Sequence, residues 1–261
     1  MKLIDANACM GGDFVKHPIV NHESFIIMDD VKTADTPAEL IEVMDRFEIS
    51  QAAVWHRAMF DYNPDKGNEI LSKLMPGYED RLLPVWTILP DITDREFAPE
   101  VFFPKMKENG VKMLRAFPQQ NRYILCDVTM GDQLKAMEEA HIPLYLEPQP
   151  GWEYIYSVLS EFPNLTVIIC NIGIWPSGRL IYPLLKRYPN VYFETGDMGV
   201  CHGYERVCEY FGSERMLYGS NFPSNYPGCA LHAFATAKLS ESDRENIAYR
   251  NMERILSEVK L

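Results

Sequence analysis

The sequence predicts an α/β chain folded as a single (β/α)8 TIM barrel. Eight short apolar segments carry this reading, because each is rich in β-branched or aromatic residues, as strands buried on both faces of a parallel sheet must be. They alternate with stretches of helical character, which is the arithmetic of a closed eight-stranded barrel. The length of 261 residues suits one such barrel, so residues 1–261 are read as one domain with no linker, low-complexity tract or internal repeat.

In chain order the predicted strands are residues 2–8, 52–56, 82–88, 111–116, 143–147, 166–170, 191–195 and 215–219. The segment after the first strand, residues 10–35, is long and polar and contains Gly11-Gly12; it belongs either to the rim of a site or to an ordinary surface loop. Thr36-Pro37-Ala38-Glu39 opens the first helix with an N-cap, a proline at the first helical position and an acid in the first turn. Leu40, Ile41, Val43, Met44 and Phe47 then give that helix the apolar face that packs on a barrel wall. Tyr62-Asn63-Pro64-Asp65-Lys66-Gly67-Asn68 reads as loop and turn after the second strand. Gly131-Asp132-Gln133-Leu134 opens a later helix, and residues 240–257 form the last, with a Glu/Arg-rich exposed face.

Composition narrows the function classes. The 37 acidic against 25 basic residues give a formal charge of -12, which argues against nucleic-acid binding and against attraction to an anionic membrane. No apolar run approaches a membrane span, and Met1-Lys2-Leu3-Ile4-Asp5 places a carboxylate where a signal peptide needs apolar residues, so a cytoplasmic protein is expected. The six cysteines contain no C-x-x-C pair, so neither a zinc knuckle nor a disulfide framework is indicated.

In a barrel, side chains at the carboxyl ends of the strands face a shared mouth, and alternate residues of a strand share a face. Asp5, Asn7 and Cys9 form one such set; Val54 and His56, Tyr145 and Glu147, Val167, Ile169 and Asn171, and Leu217, Gly219 and Asn221 form others. Each set ends in a polar or ionisable residue. Arg115, near the end of the fourth strand, is suited to bidentate binding of a substrate carboxylate or to an ion pair with Glu147 or Asp5. Arg57, after the second strand, has the same two readings. Trp152 and Trp175 follow strand ends closely, so they either wall a pocket for a ring or sugar or simply pack in the core.

Around these positions the chain resembles the amidohydrolase superfamily, in particular its branch of TIM-barrel metal-dependent hydrolases that includes relatives of aminocarboxymuconate semialdehyde decarboxylase. The resemblance rests on Leu3-Ile4-Asp5-Ala6-Asn7-Ala8-Cys9, Pro163-Asn164-Leu165 through Gly173, residues 188–195, Gly219-Ser220-Asn221-Phe222-Pro223 and Asn251. In that branch the first strand reads I-D-x-H-x-H, the fifth and sixth end in His, and the eighth reads G-S-D-x-P. Here Asn7, Cys9, Glu147, Asn171 and Asn221 stand at those ligand positions. A neutral amide is a poor zinc ligand, so no cofactor is expected, and zinc stays open only through Cys9 and Glu147.

The family's eighth-strand Asp takes the proton from the attacking water, which Asn221 cannot do. The resemblance therefore implies a hydrolase or lyase on a small carboxylated or cyclic substrate such as a lactone, with a base drawn from Glu147, His56, Asp197 or His202. Glu147, His56 and Asn221 are the expected catalytic group, and Asn7, Arg115, Asn171, Trp152 and Trp175 the expected binding group. The other class is an inactive relative that binds a small anionic or polyhydroxylated ligand. The expected partner is that small molecule, with a homo-oligomer left open.

Overall fold

The computed structural model describes residues 1–11, 33–61, 63–149, 151–173 and 177–261. Eight parallel strands follow one another around a nearly closed barrel in the order of the sequence. They are β1 (Ile4–Met10), β2 (Gln51–His56), β3 (Leu82–Thr87), β4 (Met113–Arg115), β5 (Leu144–Leu146), β6 (Val167–Ile169), β7 (Val191–Glu194) and β8 (Met216–Leu217). The seam between β1 and β8 is joined by Ala6 N donating to Tyr218 O and Cys9 N to Phe222 O, both at 2.8 Å.

Every predicted strand is present, with two informative differences at the ends. The first strand runs to Met10 because Cys9 and Met10 keep pairing with Trp55 and His56. The eighth stops at Leu217, short of the predicted 219, because the next polar groups turn inward. Ser220 donates from its backbone N (2.9 Å) and from its hydroxyl to the buried Asp5 carboxylate, which interrupts the ladder with β1 between Tyr218 and Phe222.

The described helices are α1 (Pro37–Arg46), α2 (Ala58–Asp61), α3 (Pro64–Leu74), α4 (Pro99–Glu108), α5 (Asp127–Ala140), α6 (Glu153–Glu161), α7 (Gly178–Arg187), α8 (Gly203–Phe211), α9 (Pro227–Thr236), α10 (Glu241–Glu245) and α11 (Asn251–Glu258). The predicted start of α1 holds in detail: Thr36 Oγ1 accepts from Glu39 N, and the Glu39 carboxylate accepts from Thr36 N, a reciprocal capping box. α5 begins at Asp127, four residues before the predicted Gly131. Met130 has non-helical φ/ψ (-142°, 19°), so Gly131 is where regular helix resumes after a kink. The final predicted helix is α10 and α11 joined by a wider π turn over Asn246–Arg250.

The core lies between the barrel wall and this helical ring. Leu114, Leu144, Val167, Ile169 and Val191 are fully or almost fully buried, each contributing about 1.5–3 kcal/mol of hydrophobic stabilisation. No described helix is long and apolar enough to cross a membrane.

Candidate active site

The strand ends bring a buried polar network together inside an otherwise apolar barrel. At its centre is Arg115, 1% exposed. Its guanidinium forms an ion pair with Glu147, donates from Nη1 to Asn7 Oδ1 at 2.9 Å, and lies 3.2 Å from Cys170 Sγ. Trp55, Phe117 and Tyr145 surround it, with ring centroids 4.6, 5.1 and 5.8 Å from Cζ, so aromatic faces supply part of the solvation that water would give. Arg115 Nε is buried without a hydrogen-bond partner. The Glu147 side chain, 17% exposed, carries the far end of the ion pair to the mouth.

Asn7 links this pair to the other side of the barrel. Its Nδ2 donates to Asn171 Oδ1 at 3.0 Å and to Glu194 Oε1 at 3.3 Å. Glu194 also accepts from Asn171 N (2.9 Å) and Gly196 N (2.6 Å). Complete burial pushes its pKa up to about 7, although those two backbone N–H groups pull the other way. Glycine is required beside it: a Cβ on Gly219 would lie 2.2 Å from Glu194 Oε2. Below this layer the buried Asp5 accepts from Asn7 N and Ser220, and burial raises it to about 6.

Nearer the surface, Asp197 Oδ1 accepts from Asn225 Nδ2 at 2.6 Å and, more weakly, from Asn221 Nδ2 at 3.4 Å, while Oδ2 accepts from Gly173 N at 3.1 Å. This one carboxylate ties together the segments that follow β6, β7 and β8.

Simple alternation does not account for all of these placements. On β6 it is Cys170, not the parity of Val167 and Ile169, that meets Arg115. Asn171 still reaches Asn7 because its backbone is left-handed (φ 53°), which breaks the alternation at the strand end. Asn221 has the same φ of 53°. Asn tolerates this conformation better than most residues, a backbone reason for an amide at both positions. On β2 the residue facing Arg115 is Trp55, so Val54 and His56 lie on the other face, a correction to the predicted set. His56 Nδ1 accepts from Ala58 N (3.1 Å), its ring lies against Gly11, and burial lowers its pKa.

The remaining expected residues are dispersed. Cys9 is buried, with Sγ 3.8 Å from Met10 O. Arg57 stacks on Phe60 with Cζ 4.4 Å from the ring centroid. His202 is exposed and begins α8. Trp152 is half-buried against the core at the start of α6. Trp175 lies outside the described residues. Sequence reasoning missed Glu194, Cys170 and Asn225 as members of the network. Glu194 did leave a signal, an acid inside the apolar run Val191-Tyr192-Phe193-Glu194, where a charge needs dedicated partners.

Eight parallel strands with polar groups gathered at their carboxyl ends define the chain as a (β/α)8 barrel. It belongs to the amidohydrolase family, whose model matches residues 32–257. An uncharacterised TIM-barrel protein from Bordetella bronchiseptica superposes with a TM-score of 0.75 at 20% identity, covering 99% of both chains. The 5-carboxyvanillate decarboxylase of Novosphingobium aromaticivorans, solved with manganese and 4-hydroxy-3-methoxy-5-nitrobenzoic acid, gives 0.74 at 13% identity over 98% of this chain and 96% of its own. The 2,6-dihydroxybenzoate decarboxylase from Rhizobium gives 0.69 at 14% identity over 98% and 99%. At these identities the likeness is one of fold. No curated protein matches the sequence.

The donor set differs from what a divalent metal, such as the manganese of the 5-carboxyvanillate decarboxylase structure, requires. Among the described residues no three His, Cys, Asp or Glu side chains come together as a metal-binding group. The Asn7 amide already accepts from a guanidinium and donates to Asn171 and Glu194, and the buried cation of Arg115 would repel a dication beside it. These residues do not fit a divalent metal.

Proposed function

We propose that the chain is an enzyme of the hydrolase or lyase type, acting without a metal on a small carboxylated or cyclic substrate at the barrel mouth. The observation that carries this reading is Glu147, a carboxylate that reaches the mouth while a buried guanidinium fixes it from beneath. On a lactone, Glu147 takes a proton from water as the oxygen attacks the carbonyl, and returns it to the ring oxygen when the C–O bond breaks. Asn171 and Asn221 supply hydrogen bonds to the substrate, and Trp152 an apolar wall. Asn7 and Arg115 act through them from the buried layer.

The fold neighbours act on carboxylated aromatic rings, so hydroxybenzoates form the second substrate class. With such a ring, the C–COO⁻ bond breaks, CO2 leaves, and the carbon takes a proton from the mouth. Glu147, the carboxylate at the mouth, hands that proton on from water. The test is a turnover screen of lactones and hydroxybenzoates with wild type and Glu147→Gln. The expected result is activity on one class, reduced about 10²–10⁴-fold in the variant; unchanged turnover in Glu147→Gln would overturn the assignment. A second reading, ligand binding without turnover, is favoured by Asn7, whose amide is already taken up by Arg115, Asn171 and Glu194. It predicts a thermal shift with such compounds and no product.

A further inference from the structure

We propose that the cleft between α7 and α8, which borders the barrel mouth at Gly173 and Asp197, is a second binding site for an amphipathic anion with an aliphatic body and a single carboxylate. The cleft has a volume of about 1010 Å³, ample for a small organic ligand. Its walls are apolar: Ile181 and Tyr182 from α7, Phe193 from β7, Met198 before α8, and Val207 and Phe211 from α8. Ile181, Phe193 and Val207 are buried, and Tyr182 and Phe211 pack ring to ring at 5.0 Å.

Three cations border this apolar space, Arg179 and Lys186 on α7 and Arg206 on α8. Spaced seven residues apart, Arg179 and Lys186 share one face of α7. None of the three forms an ion pair among the described residues. In a chain carrying 37 acids against 25 bases, three cations around one apolar cleft, with no ion pair among the described residues, are a local reversal of charge. The one acid in the described lining, Asp197, is turned to Asn225, Asn221 and Gly173. An aliphatic limb therefore fills the interior, and its carboxylate meets the cationic border.

The test titrates octanoate and, separately, octan-1-ol into the full chain by calorimetry. Octanoate is expected to bind at least tenfold more tightly than octan-1-ol, and the doubly substituted Lys186→Glu/Arg206→Glu chain to lose at least tenfold in octanoate affinity. Val207→Trp, which fills the cleft, is expected to abolish binding. Met198→Trp does the same from the half-buried wall, should the first variant fail to fold. Glu147→Gln, at the mouth, leaves octanoate affinity unchanged. No octanoate binding to wild type, equal affinity for the alcohol, or binding that survives both folded Trp variants would overturn the proposal, as would loss of binding in Glu147→Gln.

Discussion

Arg115 and Glu147 show how far single residues could be read in advance. The sequence placed both at strand ends and left Arg115 either as a carboxylate clamp or as an ion pair; the structure shows the pair, with both Nη atoms engaged. Burial was the missing quantity, because nothing local in the sequence says that Trp55, Phe117 and Tyr145 close over the guanidinium. Arg115→Ala removes the buried partner of Glu147 and the donor to Asn7. Breaking such a pair costs about 3–5 kcal/mol, so the melting temperature is expected to fall by roughly 10 °C. A fall under 2 °C in a thermal melt would show that the pair is dispensable.

Glu194 and Asp5 give the pH dependence at the same scale. Burial raises both above their ordinary values of 4.5 and 3.8, to about 7 and about 6. The folded state therefore holds protons that the unfolded chain has released, and stability falls as pH rises from about 4 to about 7. For Glu194 the loss is on the order of 3 kcal/mol across that window. Urea unfolding at pH 5 and pH 8 should give a higher midpoint at pH 5 relative to Glu194→Gln, in which this carboxyl no longer titrates. An identical pH dependence in the two proteins would contradict the raised pKa.

At the scale of elements, the parts written in local signals were the parts legible in the sequence. The α1 capping box was read from Thr36-Pro37-Ala38-Glu39 and is present atom for atom. Thr36→Ala should cost about 1 kcal/mol, seen as a melting point roughly 2–4 °C lower. The strand ends were harder, since Asn171 and Asn221 leave the alternating pattern through left-handed backbone, and Trp55 rather than His56 faces Arg115. Gly219 illustrates the same limit. Its Cβ position falls on Glu194, a neighbour contributed by another strand. Gly219→Ala should destabilise by about 1–3 kcal/mol, and adding Glu194→Ala should recover part of that loss. Strictly additive costs would mean the two residues do not compete for space.

For the whole molecule, eight periodic apolar segments announced the barrel, and the family frame around Asn7, Asn171 and Asn221 announced its lineage. The chemistry was less legible, because it depends on which groups meet across the barrel, and Asn7 from β1 joins Arg115, Asn171 and Glu194 from three other segments. The chain is an amidohydrolase-family barrel, and the proposal is that its mouth works through a guanidinium-held carboxylate in place of a metal. Elemental analysis of the protein purified without chelator, before and after dialysis against manganese or zinc, tests that claim most directly. The account predicts well below one equivalent of metal in every sample; one tightly held equivalent per chain, with turnover lost on its removal, would contradict it.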